Sequence, residues 1–236
     1  ICHAGFNFGP WGRPHPHIAM NPLRVLHVFD HSLPLHSGYT FRSANILREQ
    51  RRLGWQTFHL TSTKQVGATA LEEDADGLHF YRTPPGEGWL DRLPVLRQWA
   101  VMRRTEARLD DLVRELRPDL LHAHSPVLNA FPALHVGSRL GIPVVYEVRG
   151  FWEDAAVDHG TQSEGGLRYR LSRAMETRAV QRADRVVTIC EGLRGELISR
   201  GISSDRIDIV PNAVDAERFQ WRGAPDVELQ TRLGLR

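Results

Sequence analysis

Short apolar runs alternate with helix-period segments along most of the chain, and this alternation restricts the fold more than any other feature. Seven runs read as strands: Arg24–Asp30, Gln56–Ser62, Leu78–Thr83, Asp119–His124, Pro143–Arg149, Arg185–Ile189 and Arg206–Val210. The first is followed by a polar loop, His31–Thr40, holding Pro34, Ser37, Gly38 and Tyr39. A helix then starts near Thr40, with Phe41, Ala44 and Leu47 at three-residue steps and Gly54 where a C-terminal glycine belongs. A second helix is expected over roughly Val95–Leu116, ended by Pro118. A third is expected from Ser125 as N-cap and Pro126 as first helical residue to Leu140, closed by Gly141. Leu167, Leu171, Ala174 and Met175 mark a fourth, and Glu191–Arg200 a short fifth. Lys64–Gly77 reads as loop, so the second and third strands follow one another without a helix. Such a pattern predicts an α/β fold with a doubly wound, mostly parallel sheet, in which ligands bind at the carboxyl ends of the strands.

Composition excludes several classes. A net charge of +2 on 236 residues is no nucleic-acid-type excess, so no nucleic-acid partner is expected. Cys2 and Cys190 cannot build a disulfide framework, which fits a reducing, cytoplasmic setting. No apolar run approaches the roughly 18–20 residues of a membrane span. Trp89, Leu93, Leu96 and Trp99 are interleaved with Arg92, Arg97, Arg103 and Arg104. That mixture suits either a helix packed on the sheet with a solvated arginine face or peripheral contact with an anionic membrane surface.

The polar residues just past the strands are the candidate site. They are Asp30 and His31, His124 and Ser125, Glu147 and Arg149, Cys190 and Glu191, and Asn212. Gly38 would let backbone approach a ligand and leave free N–H groups for an anion, or it is an ordinary turn glycine. The loop matches neither GxGxxG nor a P-loop. His124 is expected to reach the crevice, whereas His122 is expected to be a deeper, hydrogen-bonded core residue. An H-x-H pair could bind metal, but with no third histidine or cysteine nearby in sequence, no metal is expected. Arg149 is either a guanidinium for phosphate or sugar hydroxyls or half of an ion pair with Glu147. Phe151 and Trp152, beside Glu153 and Asp154, suit a carbohydrate or plug the core.

The ends are read differently. Residues 1–19 have no helix or strand period and no signal-peptide core, so Met20 is expected to be the start and 1–19 a non-native leader, the alternative being a genuine arm. Residues 20–218 are expected to form one domain and 219–236 a linker with the beginning of another.

Two stretches, VVTICEGLRGEL (Val186–Leu197) and IVPNAVDAERF (Ile209–Phe219), resemble the N-terminal half of retaining GT-B-fold glycosyltransferases of family GT4. DHSLPLHSGYTFRS (Asp30–Ser43), HAHSPVLNA (His122–Ala130) and VVYEVRGFWEDAAVDHG (Val144–Gly160) resemble, more narrowly, the exosortase A system-associated (PEP-CTERM) glycosyltransferases of exopolysaccharide gene clusters. The resemblance implies a Rossmann-like acceptor-side domain whose donor-binding C-terminal domain is missing here. It implies a nucleotide-sugar co-substrate, a glycan or lipid-linked acceptor and no cofactor. Ser37, Gly38 and Tyr39 would lie toward the donor. His124 and Arg149 would face the acceptor as catalytic groups, with Glu147, Trp152, Glu191 and Asn212 lining the site. The sequence departs from the family pattern at Ser37-Gly38 (often two glycines), at Arg149 (often histidine) and at Pro211-Asn212-Ala213 (often PNG). The 236 residues alone are expected to be inactive. Two other readings stay open: a non-catalytic glycan- or partner-binding domain, and a GT-B UDP-sugar epimerase.

Overall fold

The computed structural model describes residues 22–67, 70–86, 93–154, 166–214, 223 and 226–234. The expected leader, Trp89, Arg92 and residues 155–165 lie outside the described residues. In chain order the elements are β1 (Arg24–Phe29), α1 (Gly38–Arg52), β2 (Gln56–Thr61), β3 (Glu72–Ala75), β4 (Leu78–Arg82), α2 (Pro94–Leu116), β5 (Leu120–His124) and α3 (Val127–Leu140). There follow β6 (Val144–Val148), α4 (Leu167–Arg182), β7 (Arg185–Thr188), α5 (Glu191–Ser199), a 3-10 turn (Ser204–Arg206), β8 (Ile207–Ile209) and α6 (Val227–Leu233).

The strands form one sheet in the order β3-β4-β2-β1-β5-β6-β7-β8. Every pairing is parallel except β3 with β4. The chain winds outward from β1 through β2 to β4, then returns to place β5 on the other side of β1. The switch of direction therefore falls between β1 and β5, where a doubly wound sheet opens a crevice past its strand ends.

Two expectations about elements are corrected. Residues 72–75 are a strand, not loop. Asp76 (φ 52°) and Gly77 (φ 72°) both take left-handed backbone, the requirement of a two-residue hairpin turn, and pair Ala75 with Leu78. The Asp-Gly pair is the local signal; four acidic or small residues hide the strand. Ser125 is not the N-cap of α3: Pro126 holds that place, and no side chain caps the helix. The Ser125 hydroxyl instead accepts from the Arg149 N–H at 3.2 Å, and its own N–H donates to the Glu147 carbonyl at 2.9 Å.

Local chemistry sets the helix ends around the crevice. Ser37 caps α1, its hydroxyl accepting from the Thr40 N–H at 3.1 Å, and Gly54 (φ 84°) follows the last turn. α3 lies so close to β6 that a Cβ on Gly137 would stand 2.5 Å from Val144 Cγ2 and 2.7 Å from the Ile142 carbonyl. α2 and α3 cover one face of the sheet, where Leu26, Val28, Leu121, Ala123, Tyr146 and Val148 are buried in a large apolar core. On the face toward α1 the apolar cluster is smaller: Phe29, Leu33, Ala44, Leu47, Leu78 and Phe80. α6 buries none of its residues.

Candidate functional site

The α1 face of the sheet carries a row of histidines. Parallel register pairs His27 on β1 with His59 on β2 and with His122 on β5. Residues paired in register share a face, and His124, two further along β5, joins it. The ring centroids of His122 and His124 are 4.1 Å apart, and those of His27 and His124 5.3 Å. A third histidine therefore does complete the H-x-H pair, contrary to the expectation from the sequence. It comes from a neighbouring strand, which a reading along one strand cannot show. Ring nitrogens of His27, His122 and His124 lie within 4.8 Å of one another, the spacing of a candidate metal site.

The hydrogen bonds around the rings run in one consistent direction. Arg149 Nη2 lies 2.7 Å from His124 Nδ1. A guanidinium can only donate, so Nδ1 accepts and the His124 proton sits on Nε2. That proton points to His27 Nδ1 at 3.0 Å, and His27 Nε2 in turn donates to Gln50 Oε1 at 2.8 Å. Arg149 thus fixes both tautomers. A metal on His124 Nε2 would need the other ring nitrogen to carry a proton, and that proton would face the Arg149 N–H groups. The donor set therefore suits a hydrogen-bonded chain better than a metal.

Burial is the main cause that keeps His27 and His124 well below the ordinary histidine range, with neighbouring imidazoles adding to it. His124 is fully buried and both of its nitrogens are engaged. The expectation that it opens on the crevice is thus corrected: here it orients Arg149 from behind. His122, expected to be the hydrogen-bonded one, is slightly more exposed, and its Nε2 has no hydrogen-bond partner, only the Glu147 carboxylate at 3.4 Å.

Glu147 is the centre of charge. Its Oε1 accepts from Arg149 Nε at 2.7 Å and from Arg42 Nε at 2.9 Å, with the carboxylate 1% exposed. Burial alone would raise the carboxyl, but contacts from His124, His122 and Arg149 outweigh it and hold it well below the ordinary range. Because His124 is neutral, the permanent charge that meets Glu147 comes from the two arginines. Arg149 also donates to the Tyr39 carbonyl and the Ser43 hydroxyl, both at 3.0 Å, and stacks 4.3 Å above the Tyr39 ring. Its fork is thereby committed inside the protein, to a carboxylate, a carbonyl, a hydroxyl and an imidazole. The ion-pair alternative for Arg149 is what the geometry shows.

The remaining candidates separate into two groups. Tyr39 is a joint of the scaffold: its hydroxyl accepts from the Asp30 N–H at 3.1 Å, and burial raises the phenol above its usual range. Asp30, His31 and Ser37 form a hydrogen-bonded series of 3.2 and 3.0 Å, but the Ser37 hydroxyl is held as the α1 cap, so the series orients the loop. Burial would raise Asp30; its bond to His31 and the charge of Lys64 outweigh this and lower it. Asn212 is exposed and accepts from Arg42 at 3.2 Å. Trp152 is half exposed, with Lys64 Nζ 5.8 Å from its ring, whereas Phe151 is buried 3.9 Å under the Arg200 guanidinium and serves the core. Glu191 lies exposed in the first turn of α5, two strands from β5, against Arg194 at 3.5 Å. Gly38 opens α1 in helical backbone, and a Cβ there would meet no atom within 4 Å. It is therefore not the turn glycine of the alternative reading.

Sequence reasoning missed His27, Gln50, Arg42 and Arg82. Arg82, fully buried at the end of β4, donates to Glu73, to the Ser32 hydroxyl and to the Leu33 carbonyl, which pins the loop after β1. On α1, Tyr39, Arg42, Ser43 and Gln50 fall at helical spacing and make its inward face partly polar.

A mostly parallel sheet of this order, with its polar edge at the β1–β5 switch, makes the chain a Rossmann-like domain. It belongs to the glycosyl transferase 4-like domain family, which residues 37–213 match. It is 24% identical over 201 residues to a GDP-mannose-dependent alpha-mannosyltransferase of Mycobacterium tuberculosis (strain CDC 1551 / Oshkosh), covering 84% of this chain and 49% of that protein. A protein of the same name from Mycolicibacterium smegmatis (strain ATCC 700084 / mc(2)155) is 26% identical over 217 residues, covering 86% and 54%. The chain thus spans about half the length of the curated relatives it matches. Among solved structures, sucrose-phosphate synthase from Thermosynechococcus elongatus superposes with a TM-score of 0.63 at 12% identity, covering 90% of this chain and 53% of the other. Anabaena Alr3699/HepE in complex with UDP and glucose gives 0.58 at 14% identity, covering 89% and 50%. These two likenesses concern the fold.

Proposed function

We propose that this chain is the acceptor-side half of a glycosyltransferase that moves a hexose from a nucleoside diphosphate to a hydroxyl of a glycan or lipid-linked acceptor, with retention at the anomeric carbon. In that reaction the bond from the anomeric carbon to the diphosphate oxygen breaks and a bond to the acceptor oxygen forms. The nucleoside diphosphate leaves, and the hydroxyl proton is released. The observation that carries the reading is the open start of α1. Gly38 stands at the switch-point edge with clear space where a Cβ would be, in the first turn of a 15-residue helix whose Thr40 N–H is held by the Ser37 hydroxyl. Helix N–H groups can carry diphosphate charge, so no resident metal is needed. The mannosyltransferase relatives make GDP-mannose the first donor to test, and the HepE complex makes UDP-glucose the second.

Trp152 and the carboxyl-edge polar groups are suited to the acceptor, with Glu191 and Asn212 at the rim of the donor side. We place the reaction in exopolysaccharide synthesis in the cytoplasm, on the strength of the exosortase-associated stretches quoted above. Peripheral membrane contact would use the N-terminal part of α2, where Leu93 and Trp99 are about half exposed and Arg103 lies 5.9 Å from the Trp99 ring. Among the described residues no helix is long and apolar enough to cross a membrane.

The test is transfer of labelled hexose from GDP-mannose and UDP-glucose to a lipid and glycan extract. It is run with the 236-residue chain and with the product of the whole reading frame that contains it. Transfer by the longer product and none by the shorter is expected. Transfer by the 236 residues alone would overturn the half-site reading, and none by a longer, folded product would favour a binding domain.

A further inference from the structure

Arg42 does something that neither the fold nor the proposed reaction requires of it. Its Nε donates to the buried Glu147 carboxylate at 2.9 Å. Its Nη2 donates to the Val210 carbonyl at 2.7 Å, and its Nη1 to the Pro211 carbonyl at 3.0 Å and the Asn212 side-chain oxygen at 3.2 Å. One side chain from the first turns of α1 thus grips three consecutive residues immediately after β8 and anchors them to a carboxylate in the middle of the sheet. The guanidinium side chain is 9% exposed, and the residues it grips are themselves exposed. They have few other ties: the Val210 N–H donates to the Thr188 carbonyl at 2.8 Å.

We infer that Arg42 is a positioning residue, a clamp that sets the direction in which the chain leaves the sheet and makes that direction answer to Glu147. Three features favour a clamp over an ordinary surface contact. The fork is planar and presents its donors in a fixed geometry, so gripping two carbonyls and an amide oxygen fixes orientation as well as distance. The anchor is a buried, ionised carboxylate, where charge-assisted bonds are strong and little screened. The same Glu147 oxygen is shared with Arg149, which holds the imidazole chain and the first turn of α1. A ligand that draws Arg149 or Glu147 toward the crevice would therefore loosen the exit segment, and a fixed exit segment would hold Glu147 in place. The clamp lies wholly within this chain, so it stands or falls independently of sugar transfer.

Hydrogen exchange of the 236-residue protein, followed by mass spectrometry, tests it without substrate. Arg42→Lys keeps a positive charge beside Glu147 but cannot span the three acceptors. It is expected to speed exchange in peptides covering residues 207–214 roughly tenfold or more, while β1, β5 and β6 stay protected. Glu147→Gln touches none of residues 210–212. It is expected to speed exchange in the same peptides, and the double variant is expected to add little beyond either single change. Unchanged exchange at 207–214 in Arg42→Lys would overturn the clamp. So would a rise spread evenly over β1, β5, β6 and β8, which would make Arg42 a general stabiliser. Normal protection of 207–214 in a folded Glu147→Gln protein would overturn the dependence on the carboxylate.

Discussion

The two faces of this sheet are built from the same strands by alternate residues, yet they behave as different materials. Toward α2 and α3 the strands present Leu26, Val28, Leu60, Leu121, Ala123, Val144 and Val148, a continuous apolar core. Toward α1 the neighbouring positions present Thr57, His59, His27, His122, His124 and Glu147, all buried as well. Apolar burial is tolerant of direction, whereas buried polar groups must find partners of the right kind in the right place. The first face holds the sheet together. The second fixes where a few charged groups sit at the carboxyl edge.

Acid should separate the faces most widely. Burial, with the nearby Arg51 charge, lowers His59 to about 3, and burial lowers His27 and His124 well below 6.5. Unfolded imidazoles take up protons near 6.5 and these do not, so stability is full above that pH and falls as the pH drops toward 3. Each such group removes about 1.4 kcal/mol per pH unit within its window. Urea midpoints measured from pH 7 to 5 should therefore fall steeply. A flat profile would mean that the histidine row is hydrated in solution.

Single substitutions make the next contrast. Glu147→Ala leaves Arg42 and Arg149 buried without their carboxylate and should cost about 3–5 kcal/mol. Leu121→Ala, on the opposite face, should cost about 2–5 kcal/mol through its cavity. The first penalty should shrink as the pH falls below about 4.5, where the unfolded carboxyl takes up a proton and the folded one does not, while the second should stay constant. If the Glu147→Ala penalty is the same below pH 4.5 as at pH 7, the electrostatic account of the α1 face fails.

How much of the molecule is legible in its sequence follows from the same contrast. The strands and helices of the apolar face can be read along the chain because hydrophobic periodicity is a local signal. The histidine row cannot, since His59, His27 and His122 are far apart in sequence and meet only through parallel register. Arg42 escapes notice for a related reason: a single arginine on a helix is ordinary until Val210 and Glu147 are brought to it. His124 reads as a crevice residue because it ends a strand. The Arg149 and His27 contacts that turn it inward come from other strands or their ends. Arg149 and Glu147, two apart at the end of one strand, are recognisable as a possible pair. Asp76-Gly77 carries a local turn signal, so taking the acidic residues before it as loop misreads the pattern and marks no limit of the sequence.

One carboxyl reverses the sign on the apolar face. Glu176 on α4 accepts from the Tyr146 hydroxyl at 2.7 Å, and burial raises it from 4.5 to about 7. The unfolded carboxyl ionises near 4.5 and the folded one resists, so its effect is a loss of stability as pH rises from 4.5 through 7. That resistance corresponds to roughly 3 kcal/mol at pH 8 as an upper figure. Glu176→Gln keeps an acceptor for Tyr146 and removes the charge. It should match the parent protein at about pH 4.5 and exceed it in urea by about 1–3 kcal/mol at pH 8. Equal stability at both pH values would show that water reaches Glu176.

The smallest expected effect on stability is at Gly38, where the α1 face emerges at the site edge. A Cβ there has open space, and the backbone is helical, so Gly38→Ala should leave the urea midpoint unchanged or raise stability by about 0.5–1 kcal/mol through helix propensity. Folding therefore supplies no reason for glycine at this position, and a ligand approaching the helix start would supply one. In the product of the whole reading frame, Gly38→Ala should then lower kcat/KM for the donor while stability holds. A drop in stability instead would show that the first turn of α1 is packed more tightly than its geometry indicates. An unchanged kcat/KM in an active enzyme would move the donor away from α1 and leave that helix to hold Glu147 and the exit of the chain.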